Sequence, residues 1–179
     1  MLKPPSTEEA KFIDWCTEAK DHGLVERWTF QPHTYELIAK QTRTVAKELK
    51  TKTKYVEKAV LRAHSYTPDF ILILTSLGRD AFAEVFSESF ATEGGYADIT
   101  IDTKGGYTVQ HGQSQMFSCN RKLMLWLKGV YVEKVIPDEF FLKTWCPESC
   151  RWMKGRKLPT LNKLGAACRT IGEFLEATE

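Results

Sequence analysis

The sequence predicts an α/β fold with a mixed central β-sheet flanked by helices, and three observations predict it. Ser6-Thr7-Glu8-Glu9 matches a capping box ahead of a helically spaced apolar stripe, Phe12, Cys16 and Ala19. Three β-rich runs follow, over residues 25–31, 65–74 and 96–104. An amphipathic stretch over 113–128 then leads into the β-branched run 130–136, a strand–helix–strand unit. The core order is therefore helix, three strands, helix, strand. With 179 residues, 42% hydrophobic and 27% charged, one domain with a proper core is expected over 1–179, its core spanning about 6–137.

The elements are justified in turn. Ser6 caps the first helix with Glu9 reaching back to the cap amide, Ile13 and Trp15 flank the stripe, and Gly23 ends it. Residues 25–31 alternate as a strand that resumes after Pro32 through Tyr35-Glu36-Leu37. Residues 40–62 mix strand formers with Ala46-Lys47-Glu48-Leu49-Lys50, and read best as a basic ribbon leading into the Tyr66 strand. Residues 65–74 end in a near-continuous apolar run, as in a strand buried on both faces. Residues 78–95, with Asp80, Glu84, Glu88 and Glu93, read as an acidic insertion carrying no chemistry. In 96–104, Ile99 and Ile101 share one face, and Asp98, Thr100, Asp102 and Lys104 share the other. Met116, Phe117, Asn120, Leu123, Met124 and Leu127 set the stripe of the next helix, which Gly129 ends, and Pro137 closes the strand 130–136. The tail, 140–179, combines Phe140, Phe141, Trp145 and Trp152 with basic residues, then a short closing helix over 170–177.

The net charge of +2 conceals a segregation. Residues 40–62 carry +6, residues 143–169 carry another +6, and the rest of the chain is left at −10. Two basic segments on an acidic body point to a polyanionic partner, because neutralised phosphates release counterions. Lys47, Lys50, Lys52 and Lys54 in the ribbon, Arg121 and Lys122 on the helix, and Arg151, Lys154, Arg156 and Lys157 in the tail are the candidate nucleic-acid contacts. The tail aromatics would stack on unpaired bases, or instead cover an open sheet face. No apolar run reaches the roughly 18–20 residues of a membrane span, and the N-terminus lacks a signal core, so a cytoplasmic protein without a membrane partner is expected. Five scattered cysteines argue against a disulfide framework. Cys146 and Cys150 offer half a zinc site, but no histidine lies beyond them. His33, His64 and His111 are isolated, with His64 two residues before Tyr66 and His111 a candidate near the site.

The chemistry concentrates in Tyr66-Thr67-Pro68-Asp69-Phe70 and Ile101-Asp102-Thr103-Lys104-Gly105. A carboxylate at Asp69, within an apolar run, needs a partner or must protonate. If the two strands pair, Asp69, Asp102 and Lys104 converge at one sheet edge. Two carboxylates beside an ammonium suit a hard divalent ion and a phosphate. The same residues also fit a structural Asp69–Lys104 ion pair with Asp102 solvated. Gln31 and Glu36 are further candidates to approach the site.

Pro68-Asp69 followed by Asp102-x-Lys104 resembles the PD-(D/E)xK nuclease superfamily, and the flanking words are similar to those of phage endonuclease I-type Holliday junction resolvases. The resemblance implies a restriction-endonuclease-like αβββαβ core and a DNA endonuclease dependent on Mg²⁺ or Mn²⁺. In it Asp69, Asp102 and Glu9 would be catalytic metal ligands, the Thr103 carbonyl a further ligand, and Lys104 the catalytic cation. Glu9 stays open between ligand and helix cap, with Glu8 the fallback. The 33 residues from Asp69 to Asp102 require the insertion to fold away for the two to meet. The resemblance further implies branched or four-way-junction DNA as substrate and a homodimer, in a host cytoplasm if phage-encoded. A sequence-specific restriction-type endonuclease and a non-catalytic nucleic-acid-binding protein of the same fold are the alternatives.

Overall fold

The computed structural model describes residues 4–91, 98–105, 113–151 and 169–177. In chain order these form α1 (Thr7–Asp21), β1 (Val25–Phe30), β2 (Tyr35–Ile38), β3 (Gln41–Leu49), β4 (Lys52–Leu61), β5 (His64–Tyr66) and β6 (Phe70–Leu74). Then come α2 (Ser76–Ala81), α3 (Ser87–Phe90), β7 (Asp98–Thr103), α4 (Gln113–Lys128), β8 (Val132–Val135), α5 (Pro137–Lys143), α6 (Glu148–Arg151) and α7 (Ile171–Glu176). The chain divides into two compact units, Met1–Pro32 with Pro68–Glu179, and His33–Thr67. No helix among the described residues is long and apolar enough to cross a membrane.

The larger unit is mixed α/β. Its four-stranded sheet runs β1-β6-β7-β8, antiparallel from β1 to β7 and parallel between β7 and β8. The parallel pair requires a crossover, and α4 supplies it. Ser6 and Glu9 form the reciprocal capping box that the sequence announces, the Ser6 amide donating to Glu9 Oε2 at 2.5 Å. Gly23 (φ +72) and Gly129 (φ +67) end α1 and α4 in the left-handed conformation glycine adopts most cheaply.

The core is aromatic. Phe12 and Trp15 of α1 stack on each other, Phe12 meets Phe70 edge-on, and Trp15 stacks on Trp145 with centroids 4.7 Å apart. Buried indoles need partners, and these have them: Trp15 Nε1 donates to Thr144 Oγ1 and Trp145 Nε1 donates to Glu18 Oε2. Trp145 is therefore fully buried, as are Phe140 and Phe141 nearly so, and the tail's described aromatics pack into the core, Phe140 and Trp145 against Trp15 of α1, rather than offering themselves to bases.

Residues 78–95 are not a mere appendage. Phe82 and Phe86 are buried in the main core, while Asp80, Glu84 and Glu88 remain exposed. Ser89 donates its amide and hydroxyl to Glu133 Oε1, tying α3 to β8. Glu93 lies outside the described residues. The expected strand over 65–74 is broken at Thr67-Pro68-Asp69, where proline removes a donor. Its remainder, β6, alternates: Phe70, Leu72 and Leu74 are buried, Ile71 and Ile73 half-buried.

The smaller unit holds two antiparallel pairs, β2 with β5 and β3 with β4. The expected basic ribbon is present as the β3–β4 hairpin, turning at Lys50-Thr51. Only Val45 and Val56 are even half-buried along it.

Candidate active site

Register brings the two acidic words together. β6 and β7 pair with Phe70 opposite Ile101, so one step further Asp69 lies opposite Asp102, and the Asp69 amide donates to the Ile101 carbonyl at 3.0 Å. The Asp69 carbonyl in turn accepts from the Gln31 amide at 2.7 Å. Gln31 sits at φ 46, the left-handed region, where a non-glycine side chain is strained and is held by its surroundings. The backbone around Asp69 is thus fixed from both neighbouring strands.

Alternation along β7 sends Ile99 and Ile101 into the aromatic core and Asp102 and Lys104 to the opposite face. There Lys104 Nζ lies 5.4 Å from the ring centre of Phe117 on α4, a cation–π contact that positions the ammonium. Lys104 Nζ donates to Asp102 Oδ1, and the Asp102 side chain is only 5% exposed. The alternative of an Asp69–Lys104 pair with a solvated Asp102 is therefore replaced by a Lys104–Asp102 pair with a buried Asp102.

Asp69 is held differently. Its Oδ2 accepts from the Thr103 amide at 2.7 Å and from the Thr103 hydroxyl at 2.8 Å. Burial, the Asp102 charge and hydrogen bonding to Asp102 push the Asp69 carboxyl up to about 7, against the opposing pull of Thr103 and Lys104. Two carboxyl groups in contact share a single ammonium. The pair carries more negative charge than its buried surroundings tolerate, which is the condition under which a carboxyl holds its proton or a cation is taken up.

Glu9 is half-buried and serves as the helix cap. Glu8, the fallback, pairs with Lys11, which also reaches Asp138 at 2.9 Å. Among the described residues no group of three or more histidine, cysteine, aspartate or glutamate side chains is assembled to hold a metal ion. This applies equally to buried Cys146 and Cys150; Cys168 lies outside the described residues.

Of the candidate nucleic-acid contacts, Lys47, Lys50, Lys52 and Lys54 are exposed on the hairpin and Lys122 is exposed on α4. Arg121 instead lies over the Tyr131 ring at 4.1 Å, and Arg151 is half-buried. Lys154, Arg156, Lys157, Trp152 and His111 lie outside the described residues. Glu36 belongs to the smaller unit. Two contributors escape sequence reasoning: the Thr103 side chain as the Asp69 anchor and the Phe117 ring beside Lys104. A hydroxyl between Asp102 and Lys104 is a faint signal for the first, and the second depends on tertiary placement. Gln31, a candidate from the sequence, does approach the site, through its backbone amide. Comparison with protein-family models, curated proteins and solved structures found no match to the chain.

Proposed function

We propose that the protein is a metal-dependent DNA endonuclease that hydrolyses phosphodiester bonds, acting on branched DNA such as a four-way junction. The observation that carries this reading is the Asp69–Asp102 contact, in which one carboxyl is pushed up to about 7 beside a single lysine. With α2 and α3 set aside between β6 and β7, the chain order of the larger unit, helix, three antiparallel strands, helix, parallel strand, supports the restriction-endonuclease-like core that the resemblance implies.

The donor set fits a hard divalent ion, Mg²⁺ or Mn²⁺, since both side chains offer oxygen and together carry excess negative charge. Asp69, Asp102 and the Thr103 carbonyl would hold it, and when bound it would supply an acidified water and neutralise phosphate oxygens. The chain's own residues do the rest. The Thr103 amide and hydroxyl fix the Asp69 carboxylate, while the Phe117 ring and Asp102 hold the Lys104 ammonium where it can meet a phosphate. Cutting both strands of a junction at symmetric positions calls for a two-fold homodimer.

A second reading, a non-catalytic nucleic-acid-binding protein, is favoured by one specific observation: Glu9 is engaged as a cap, so α1 adds no third carboxylate to the pair. Cleavage of a four-way junction of arbitrary sequence, a splayed duplex and a linear duplex separates the readings. We expect metal-dependent cutting of the junction, absent in EDTA and reduced about 10²–10³-fold by Asp69→Asn or Lys104→Ala, by analogy with the loss of one electrostatic catalytic group. Binding without cutting by the wild type would leave the non-catalytic reading. Cutting confined to one linear sequence would mark a restriction-type enzyme.

A further inference from the structure

The β3–β4 hairpin segregates its charge. Cross-strand partners share a face and successive residues alternate between faces. The register therefore puts Arg43 with Lys58, Val45 with Val56, Lys47 with Lys54 and Leu49 with Lys52 on one face. Thr44 with Glu57, Ala46 with Tyr55 and Glu48 with Thr53 occupy the other. Arg43, Lys47, Lys52, Lys54 and Lys58 thus stand together without a carboxylate, and both acidic residues of the hairpin stand behind them. None of the five cations forms an ion pair among the described residues.

This arrangement has a cost that solubility alone does not explain. Like charges directly opposite each other destabilise a sheet, and the ribbon does so twice, at Arg43–Lys58 and Lys47–Lys54. Guarding exposed strand edges against aggregation uses lysines, yet it requires neither their segregation to one face nor their placement opposite one another. A polyanion lying on that face would reverse the sign of the effect, turning repulsion into shared attraction.

The dimensions suit a duplex. At about 3.4 Å per residue, the six steps from Arg43 to Leu49 span roughly 20 Å, and duplex DNA rises about 3.4 Å per base pair. A two-stranded ribbon is also a shape that a major groove about 12 Å wide admits. We infer that the Arg43–Lys47–Lys52–Lys54–Lys58 face docks on duplex DNA, its cations taking phosphates along one groove while Tyr55, Glu48 and Glu57 face away. Phosphate contacts of this kind position a duplex without reading its sequence. The inference rests on the proposed function only in naming DNA as the polyanion. Binding measured in EDTA tests it whether or not the protein cuts.

The experiment compares Lys54→Gln with Ala46→Glu, each of which lowers the net charge by one, on opposite faces of the same hairpin. Affinity for a labelled duplex of arbitrary sequence is measured in EDTA across a salt series, beside the thermal midpoint of each variant. Lys54→Gln is expected to lower the magnitude of the log K against log salt slope by about 0.9, with a midpoint equal to or above wild type because one like-charge pair is gone. Ala46→Glu is expected to leave the slope close to wild type. Equal effects from the two variants would reduce the ribbon to a contributor of net charge and overturn the inference. So would an unchanged slope for Lys54→Gln on duplex, including the case where it weakens binding to single strands alone.

Discussion

Asp69 and Asp102 differ because of what surrounds each, although both are aspartates at the same strand pair. Lys104 is paired directly with Asp102, whereas Asp69 is held by the neutral donors of Thr103 and its contact with Asp102, and it absorbs the consequences of burial and of the neighbouring charge. The sign for stability follows. A carboxyl pushed up from 3.8 to about 7 holds a proton in the folded state that the unfolded chain has already released. Its contribution to stability is fully present below about pH 4 and is lost as the pH rises to about 7. In EDTA, the wild type should lose this contribution to its unfolding free energy across this window. Asp69→Asn should flatten that dependence, and millimolar Mg²⁺ should flatten it in the wild type but not in the variant. Urea denaturation from pH 4 to 8 checks this. An equally steep slope in the variant would mean that another group titrates.

At the scale of elements, the site depends on how β1 and β6 are held, and a glycine decides part of that. The start of α2 is pressed against the start of β1: Thr75, its N-cap, donates its amide to Leu24 O, and a Cβ on Gly78 would lie 1.9 Å from the same Leu24 oxygen. No side-chain motion relieves a clash with a backbone carbonyl. Gly78→Ala should therefore destabilise the protein by about 1–3 kcal/mol, the usual range for overpacking, measured as a lower denaturation midpoint at constant m. Much at this scale was legible in the sequence. Ser6 and Glu9 announced α1, the alternation of 98–104 placed Asp102 and Lys104 together, and Gly129 ended α4. Other features were not. Phe82 and Phe86 sit in a stretch whose acidic residues read as surface, and their burial depends on an α1 face formed some seventy residues earlier. Trp145 looked available to stack on bases because its basic neighbours in sequence say nothing of Glu18 and Trp15, which enclose it. The pairing partner of Lys104 was open for the same reason: spacing gave the three charged residues, and only tertiary placement chose Asp102 over Asp69.

For the molecule as a whole, the aromatic core and the basic ribbon belong to different units. Every buried residue of the main aromatic core belongs to the larger unit, which also contains Asp69, Asp102, Thr103 and Lys104. The ribbon, by contrast, is nearly all surface, with five cations on one face and little packing to lose. Stability and electrostatic attraction should therefore be separable. Replacing residues 41–61 with a short glycine-serine turn should leave the thermal midpoint within about 2–4 °C of wild type, the change that ~1 kcal/mol produces in a domain of this size. The same deletion should lower affinity for duplex DNA at 50 mM salt by one to several orders of magnitude, since up to five phosphate contacts, each adding about 0.9 to the salt slope, would be lost. Calorimetry and a binding titration on the same preparation check both halves. A large fall in the midpoint would mean that the ribbon supports the core, and an unchanged affinity would move the polyanion's docking surface to the larger unit, where Lys122 is the exposed candidate on α4.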